Sequence, residues 1–187
     1  MASEKPKTVH RKDYRAPDYR IDTVDLEFRL GEESSEVRAR LGVRRNELLT
    51  GDPPPLVLDG EDLELKGLWL DGEALPASRY QVGEDSLTIE RVPARFELET
   101  LVSIKPQENT SLSGLYRTSG NFCTQCEAMG FRRITYFLDR PDVMARYRTT
   151  ITADRSRYPV LLSNGNRVAE EELGGGLHRV RWEDPFP

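Results

Sequence analysis

Cysteine and histidine are scarce in this 187-residue chain, which holds two of each. Two cysteines cannot build the disulfide framework of a small secreted scaffold. The histidines, His10 and His178, lie at opposite ends of the chain. His10 is followed by Arg-Lys-Asp-Tyr and His178 by Arg-Val-Arg-Trp, so neither opens the H-E-x-x-H of a zinc protease helix or an H-x3–5-H pair. Long apolar runs are missing too. Nothing approaches the roughly 18 consecutive apolar residues of a membrane helix. The start, Met1-Ala-Ser-Glu-Lys-Pro-Lys, is polar and lacks the apolar stretch of a signal peptide. Positive charge is not in excess: 27 Lys and Arg stand against 32 Asp and Glu, a net charge of -5, which disfavours nucleic acid, whose phosphates select a basic face. There is no G-x-x-x-x-G-K-[ST] phosphate loop and no visible Ser–His–acid arrangement. The expectation is a soluble, cytoplasmic protein without disulfide staples, with no nucleic acid and no membrane among its partners.

What is present is alternation. Residues 1–20 are polar and mixed in charge and read as an extended lead-in. From Ile21 the pattern changes. In Val24-Asp-Leu-Glu-Phe-Arg-Leu30, and again in Val37-Arg-Ala-Arg-Leu-Gly-Val43, apolar and polar residues alternate, the period of a half-buried strand. Gly31-Glu-Glu-Ser-Ser joins the two as a hairpin connection. Leu56–Leu58, Leu63–Leu70, Leu87–Ile89, Phe96–Ile104, Tyr147–Ala153, Tyr158–Leu162 and Leu177–Trp182 read as further strands. Asp59-Gly60, Asp71-Gly72, Asn164-Gly165 and Gly174-Gly-Gly176 supply reversals. Helical signal is confined to Asp139-Arg-Pro-Asp-Val-Met-Ala-Arg146, where Asp139 is placed to cap and Pro141 to sit near the first helical position. The predicted fold is therefore all-β: an antiparallel β-sandwich or saddle over residues 21–187, with one short helical turn near residues 140–146. The chain stops at Trp182-Glu-Asp-Pro-Phe-Pro187 with no polar tail, which reads as a cut within a longer protein.

The chemically informative stretch is Gly114 to Tyr147, which holds both cysteines. Cys123-Thr-Gln-Cys126 has C-x-x-C spacing. That spacing fits two partly buried small residues, a redox couple, or half of a four-ligand zinc site; the redox reading wants a βαβ context and the zinc reading two more ligands. In Gln125-Cys-Glu127, residues two apart on an extended chain project to one side. Gln125 and Glu127 are then either a solvated polar pair or a receptor for an ammonium group, the carboxylate giving charge and the amide oxygen a second acceptor. Arg132, Arg133, Asp139 and Arg140 read as a surface charge cluster or an anion site. His178 reads as a solvent-facing strand residue, and Ser163-Asn-Gly-Asn166 as a turn. Residue patterns alone end at a β-rich domain with no self-contained active site.

One resemblance goes further. Thr124-Gln-Cys-Glu-Ala-Met-Gly-Phe-Arg-Arg-Ile-Thr-Tyr-Phe-Leu-Asp-Arg-Pro-Asp-Val143 resembles the N-terminal domain of bacterial members of the M1 family of zinc aminopeptidases. Tyr14-Arg-Ala-Pro-Asp-Tyr19, Tyr158-Pro-Val-Leu-Leu-Ser-Asn-Gly-Asn-Arg-Val168 and Trp182–Pro187 resemble that family's lead-in and last strands. The resemblance implies a β-saddle that caps a separate catalytic domain of the same polypeptide. It also implies a hydrolase whose zinc ligands and catalytic motifs lie outside this chain, so no catalytic and no metal residue is assigned here. Glu127 matches the family glutamate that binds the free α-amino group of a peptide substrate, and Gln125 its neighbour lining the first side-chain pocket. The implied isolated chain is inactive, and the face of Gln125, Glu127, Met129 and Phe131 is expected to pack on the missing domain. A free-standing, non-catalytic β-sandwich interaction module is the competing reading, and a thiol-redox role for Cys123 and Cys126 a third.

Overall fold

The computed structural model describes residues 10–48 and 50–187; residues 1–9 of the lead-in lie outside the described residues. The strands are β1 (Tyr19–Arg29), β2 (Ser35–Arg45), β3 (Leu56–Asp59), β4 (Glu64–Leu70), β5 (Glu73–Ala74), β6 (Tyr80–Val82), β7 (Ser86–Ile89), β8 (Arg95–Ile104), β9 (Gly114–Thr118), β10 (Asn121–Gln125), β11 (Arg146–Asp154), β12 (Asn166–Gly174) and β13 (Leu177–Asp184). They form an eight-stranded sheet in the order β12-β13-β11-β1-β2-β8-β4-β5, a three-stranded sheet β3-β7-β6, and the separate hairpin β9–β10. No helix among the described residues is long and apolar enough to cross a membrane.

Alternation explains the large sheet. Ser35, Val37, Ala39, Leu41 and Val43 of β2 share the buried face with Phe96, Leu98, Thr100, Val102 and Ile104 of β8. The register sets Val37 against Val102 and Leu41 against Leu98. Leu56 and Leu58 of β3 and Leu87 and Ile89 of β7 join the same apolar cluster, so the two sheets share one core. The intervening residues of β2 carry charge on the opposite face. Arg40 donates to Glu99 at 2.7 Å and to Glu27 at 2.8 Å, Arg44 to Asp22 at 2.9 Å, and Arg38 pairs with Glu99. Each such half-buried cross-strand pair contributes only about 0.2–1 kcal/mol, but a one-residue slip would bury this whole row, so the row helps define register.

The sheets are antiparallel with one exception: β1 runs parallel to β11, pairing Phe28 with Ile151. A parallel neighbour requires a long crossover rather than a tight turn, and residues 30–145 provide it, carrying the small sheet and the β9–β10 hairpin. The expected helical turn near residues 140–146 is corrected by the structure to a β-turn. The Val143 N–H donates to the Arg140 carbonyl at 3.1 Å, with Pro141 at the second position, where its fixed φ fits. The Asp139 carboxylate is drawn instead to the backbone N–H and Nε of Arg132, at 3.2 and 2.8 Å, so it caps nothing downstream. Tyr158–Leu162 is likewise no strand. It is an irregular segment that buries Tyr158 and Leu161 beneath Ala153 and Val180.

Candidate functional site

The strand β10 ends at Gln125, and the chain then turns. The Gly130 N–H donates to the Cys126 carbonyl at 2.9 Å, the Glu127–Ala128 peptide is cis, and a single 3-10 turn follows at Phe131–Arg133. Gln125 and Glu127 are both exposed, whereas Cys126 between them packs on the core. The Gln125 amide Nε2 donates to the Glu127 carbonyl oxygen at 3.3 Å, tying the two residues together. The Glu127 carboxylate has no ion-pair partner among the described residues. Asp59, Glu61, Asp62, Asp139 and Asp142, by contrast, all face arginines.

Those arginines are structural. Arg132 bonds Asp139, which is 6% exposed, and lies 3.7 and 3.8 Å from Asp59 and Glu61. The Asp139 N–H in turn donates to Asp59 at 3.0 Å. Arg133 pairs with Glu61 at 2.5 Å and with Asp62. Of the two readings of this cluster, the charge network is the one found: its arginines are met by the protein's own carboxylates. This network fastens the Phe131–Arg133 turn to the end of β3, immediately downstream of Glu127.

Two expectations about facing residues change. Met129 is 59% exposed, but Phe131 turns inward, edge-on to Phe137 at 4.7 Å and to Tyr147 at 6.2 Å between ring centroids. The exposed face thus holds Gln125, Glu127 and Met129 without Phe131. His178 is fully buried rather than solvent-facing. Its Nε2 lies 2.8 Å from the Tyr158 carbonyl and its Nδ1 2.9 Å from Arg155 Nη1. A carbonyl only accepts and a guanidinium only donates, so a neutral ring with its proton on Nε2 satisfies both. The readable signal was parity: His178 shares the inward face of β13 with Val180, while Arg179 and Arg181 point the other way.

The cysteines are free thiols. Burial pushes the Cys126 thiol up to about 11, helped by the negative charge of Asp139. Burial likewise raises Tyr147, to about 12. A thiol with a raised pKa is a poor nucleophile in exchange. At pH 8 its thiolate fraction is about 200-fold below that of an ordinary thiol, offset about tenfold by greater intrinsic nucleophilicity. In a Cys123→Ser background, native Cys126 should react with iodoacetamide about 20-fold more slowly than in the unfolded chain. Equal rates would restore the redox reading. Among the described residues no three His, Cys, Asp or Glu side chains gather as a metal-holding group.

A groove of about 840 Å³ opens beside the site, lined by Leu26, Phe28, Phe122, Phe131, Tyr147 and Ile151 among others. Cys123 and Cys126 face it, while Gln125 and Glu127 lie outside its lining. This groove and the exposed carboxylate therefore do not coincide.

Comparison with known proteins gives the chain its relatives. A family model for the peptidase M1 N-terminal domain matches residues 78–187. The chain is 47% identical to Aminopeptidase N of Escherichia coli strain K12 over 185 residues, covering 99% of this chain and 21% of that protein. It is 48% identical to Aminopeptidase N of Caulobacter vibrioides over 187 residues, covering 100% and 21%. The crystal structure of Legionella pneumophila aminopeptidase A in complex with aspartic acid superposes with a TM-score of 0.88 at 40% identity, covering 94% of this chain and 21% of that one. A Deinococcus radiodurans M1 zinc metallopeptidase shares the fold at 17% identity, with a TM-score of 0.70 over 89% of this chain and 39% of that one. The chain spans about a fifth of the length of the curated relatives it matches.

Proposed function

The chain belongs to the peptidase M1 N-terminal domain family, and from that premise we propose that it is the substrate-anchoring domain of a zinc-dependent aminopeptidase. In this reading it caps a catalytic domain carried by the same polypeptide, and the zinc and the groups that cut the peptide belong to that other domain. The partners are the amino terminus of a peptide and the catalytic domain itself.

The observation that carries the reading is the state of Glu127: an exposed carboxylate without an ion-pair partner among the described residues, on a turn fastened at both ends. A free α-amino group has a pKa of about 7.7–8.0 and is largely cationic at neutral pH. An internal peptide nitrogen carries no charge. A carboxylate enclosed in a cleft away from water binds that cation more strongly than it would in bulk solvent. Gln125, linked to the backbone of Glu127, presents an amide beside the carboxylate. The pair thus reads the beginning of a peptide chain and sets how far from it the bond to be cut lies, which is what makes a peptidase act one residue at a time.

The division of labour is testable directly. The purified domain, with or without added zinc, is expected to release nothing from an aminoacyl reporter, whereas a polypeptide joining it to its catalytic domain releases the first residue. Cleavage by the domain alone, surviving removal of contaminating peptidases, would overturn the proposal.

A further inference from the structure

The hairpin β9–β10 is a two-stranded sheet of its own. A lone two-stranded hairpin is marginally stable in water, so its pose depends on what holds its sides. At its loop end the holder is Glu32, in the connection between β1 and β2. Glu32 Oε1 accepts a hydrogen bond from the Tyr158 hydroxyl at 2.8 Å. Its Oε2 accepts from Arg117 Nη1 at 2.7 Å and lies 3.0 Å from Arg157 Nη2. These partners, Tyr158 first, hold the Glu32 carboxyl below the usual range.

The anchor is closed on itself. Arg117 of β9 faces Phe122 of β10 across the hairpin, and its guanidinium sits 5.7 Å from the Phe122 ring centroid. Phe122 in turn packs against Tyr158 at 5.1 Å. Carboxylate, guanidinium, phenyl and phenol therefore form a ring joining three separate segments of chain. The Arg117 N–H also donates to the Pro106 carbonyl at 3.0 Å, so β9 is held from its backbone as well.

Resting on the reading of Glu127 as the amino-group anchor, we propose that Glu32 is a positioning residue: through Arg117, Phe122 and Tyr158 it sets the pose of the hairpin that carries Gln125 and leads into Glu127. Gln125 pairs with Gly114, three residues along the hairpin from the Arg117–Phe122 pair. At about 3.3 Å per residue that is roughly 10 Å, so a tilt released at the loop end reaches the recognition end. A displacement near 1 Å is enough to cost binding and rate steeply.

The test combines amide hydrogen exchange on this chain with steady-state kinetics of the full-length polypeptide on an aminoacyl reporter. Glu32→Ala is expected to speed exchange from Phe122 to Gln125 while β2 and β8 keep their protection, and to raise KM about tenfold with a smaller change in kcat. Arg117→Ala should do the same, and the double variant should be no worse than either single one. Glu32→Gln keeps the side-chain shape and one acceptor, should recover part of the loss, and serves if Glu32→Ala folds poorly. Unchanged exchange in the hairpin, faster exchange with an unchanged KM, or fully additive single effects would each overturn the proposal. Glu127→Ala run in parallel separates the two readings. If Glu127→Ala leaves KM unchanged, the anchor reading has failed, and the exchange data alone then decide whether Glu32 holds the hairpin.

Discussion

Glu127→Gln in the full-length polypeptide is expected to lower kcat/KM for a free-amino peptide by about 10- to 150-fold, mostly through KM. The range is the 1.5–3 kcal/mol typical of a hydrogen bond to a charged group, at about 1.4 kcal/mol per tenfold. Glutamine preserves volume and an acceptor oxygen, so the loss reports charge. Glu127→Ala should lose at least as much. The effect has a defined pH signature, because the cation belongs to the substrate. Below the α-amino pKa of about 8 the amino group is protonated, and the carboxylate contributes fully. As pH rises through that value the group becomes neutral and the advantage of the wild type over Glu127→Gln shrinks. The ratio of the two kcat/KM values, measured from pH 6.5 to 9.5, should therefore fall. A flat ratio would mean that Glu127 does not meet the ammonium ion. An unchanged kcat/KM at pH 7 would remove the residue from the site.

The parts of this domain that could be read from sequence are those where one face is dry and the other wet. β1, β2 and β8 announce themselves because Val24, Leu26, Val37, Leu41, Leu98 and Val102 alternate with charged or polar residues, and the structure buries that set. Where both faces are wet, the signal vanishes. All residues of β12 are exposed, and its Glu170-Glu-Glu172 run shows no alternation. It forms because β13 supplies the ladder and because Arg155 and Arg179 meet Glu170 and Glu171 at 2.8 and 3.2 Å. Where tertiary partners compete with local preference, the local reading misleads. Asp139 could cap a helix, but Arg132 offers it two donors, and the helix does not form. Phe131 looked like part of an exposed face, yet a 3-10 turn rotates it onto Phe137. Gln125 and Glu127 do lie exposed with Cys126 packed inward, but strand parity is not the cause: the strand ends at Gln125, the chain turns, and Thr124, Ala128 and Met129 are exposed as well. The clamp at Glu32 was not legible: residues 32, 117 and 158 have no sequence relation that marks them as partners.

Gly114→Ala is expected to be the most damaging single change near the site, lowering stability by about 2–5 kcal/mol and the melting temperature by about 5–15 °C. Two costs add. Gly114 has φ +76°, a left-handed conformation that costs an L-residue about 1–2 kcal/mol. A Cβ placed there would also lie 2.5 Å from the Arg133 Cβ and 3.1 Å from the Gly130 carbonyl oxygen. Neither atom is the free end of a flexible side chain, and Arg133 is pinned by Glu61 and Asp62, so overpacking adds about 1–3 kcal/mol. Gly120 gives the control. It too is left-handed, at φ +83°, but an added Cβ there meets nothing within 4 Å. Gly120→Ala should therefore show the conformational cost alone, and the difference between the two variants, read from thermal or denaturant unfolding, isolates the overlap. Equal losses would mean that Gly114 and Arg133 are not in close contact. The overlap also has a direction. Gly114 is the cross-strand partner of Gln125, so forcing β9 away from the Phe131–Arg133 turn pulls Gln125 away from the turn that holds Glu127. At temperatures where Gly114→Ala remains folded, the full-length polypeptide carrying it should show a raised KM that Gly120→Ala does not share.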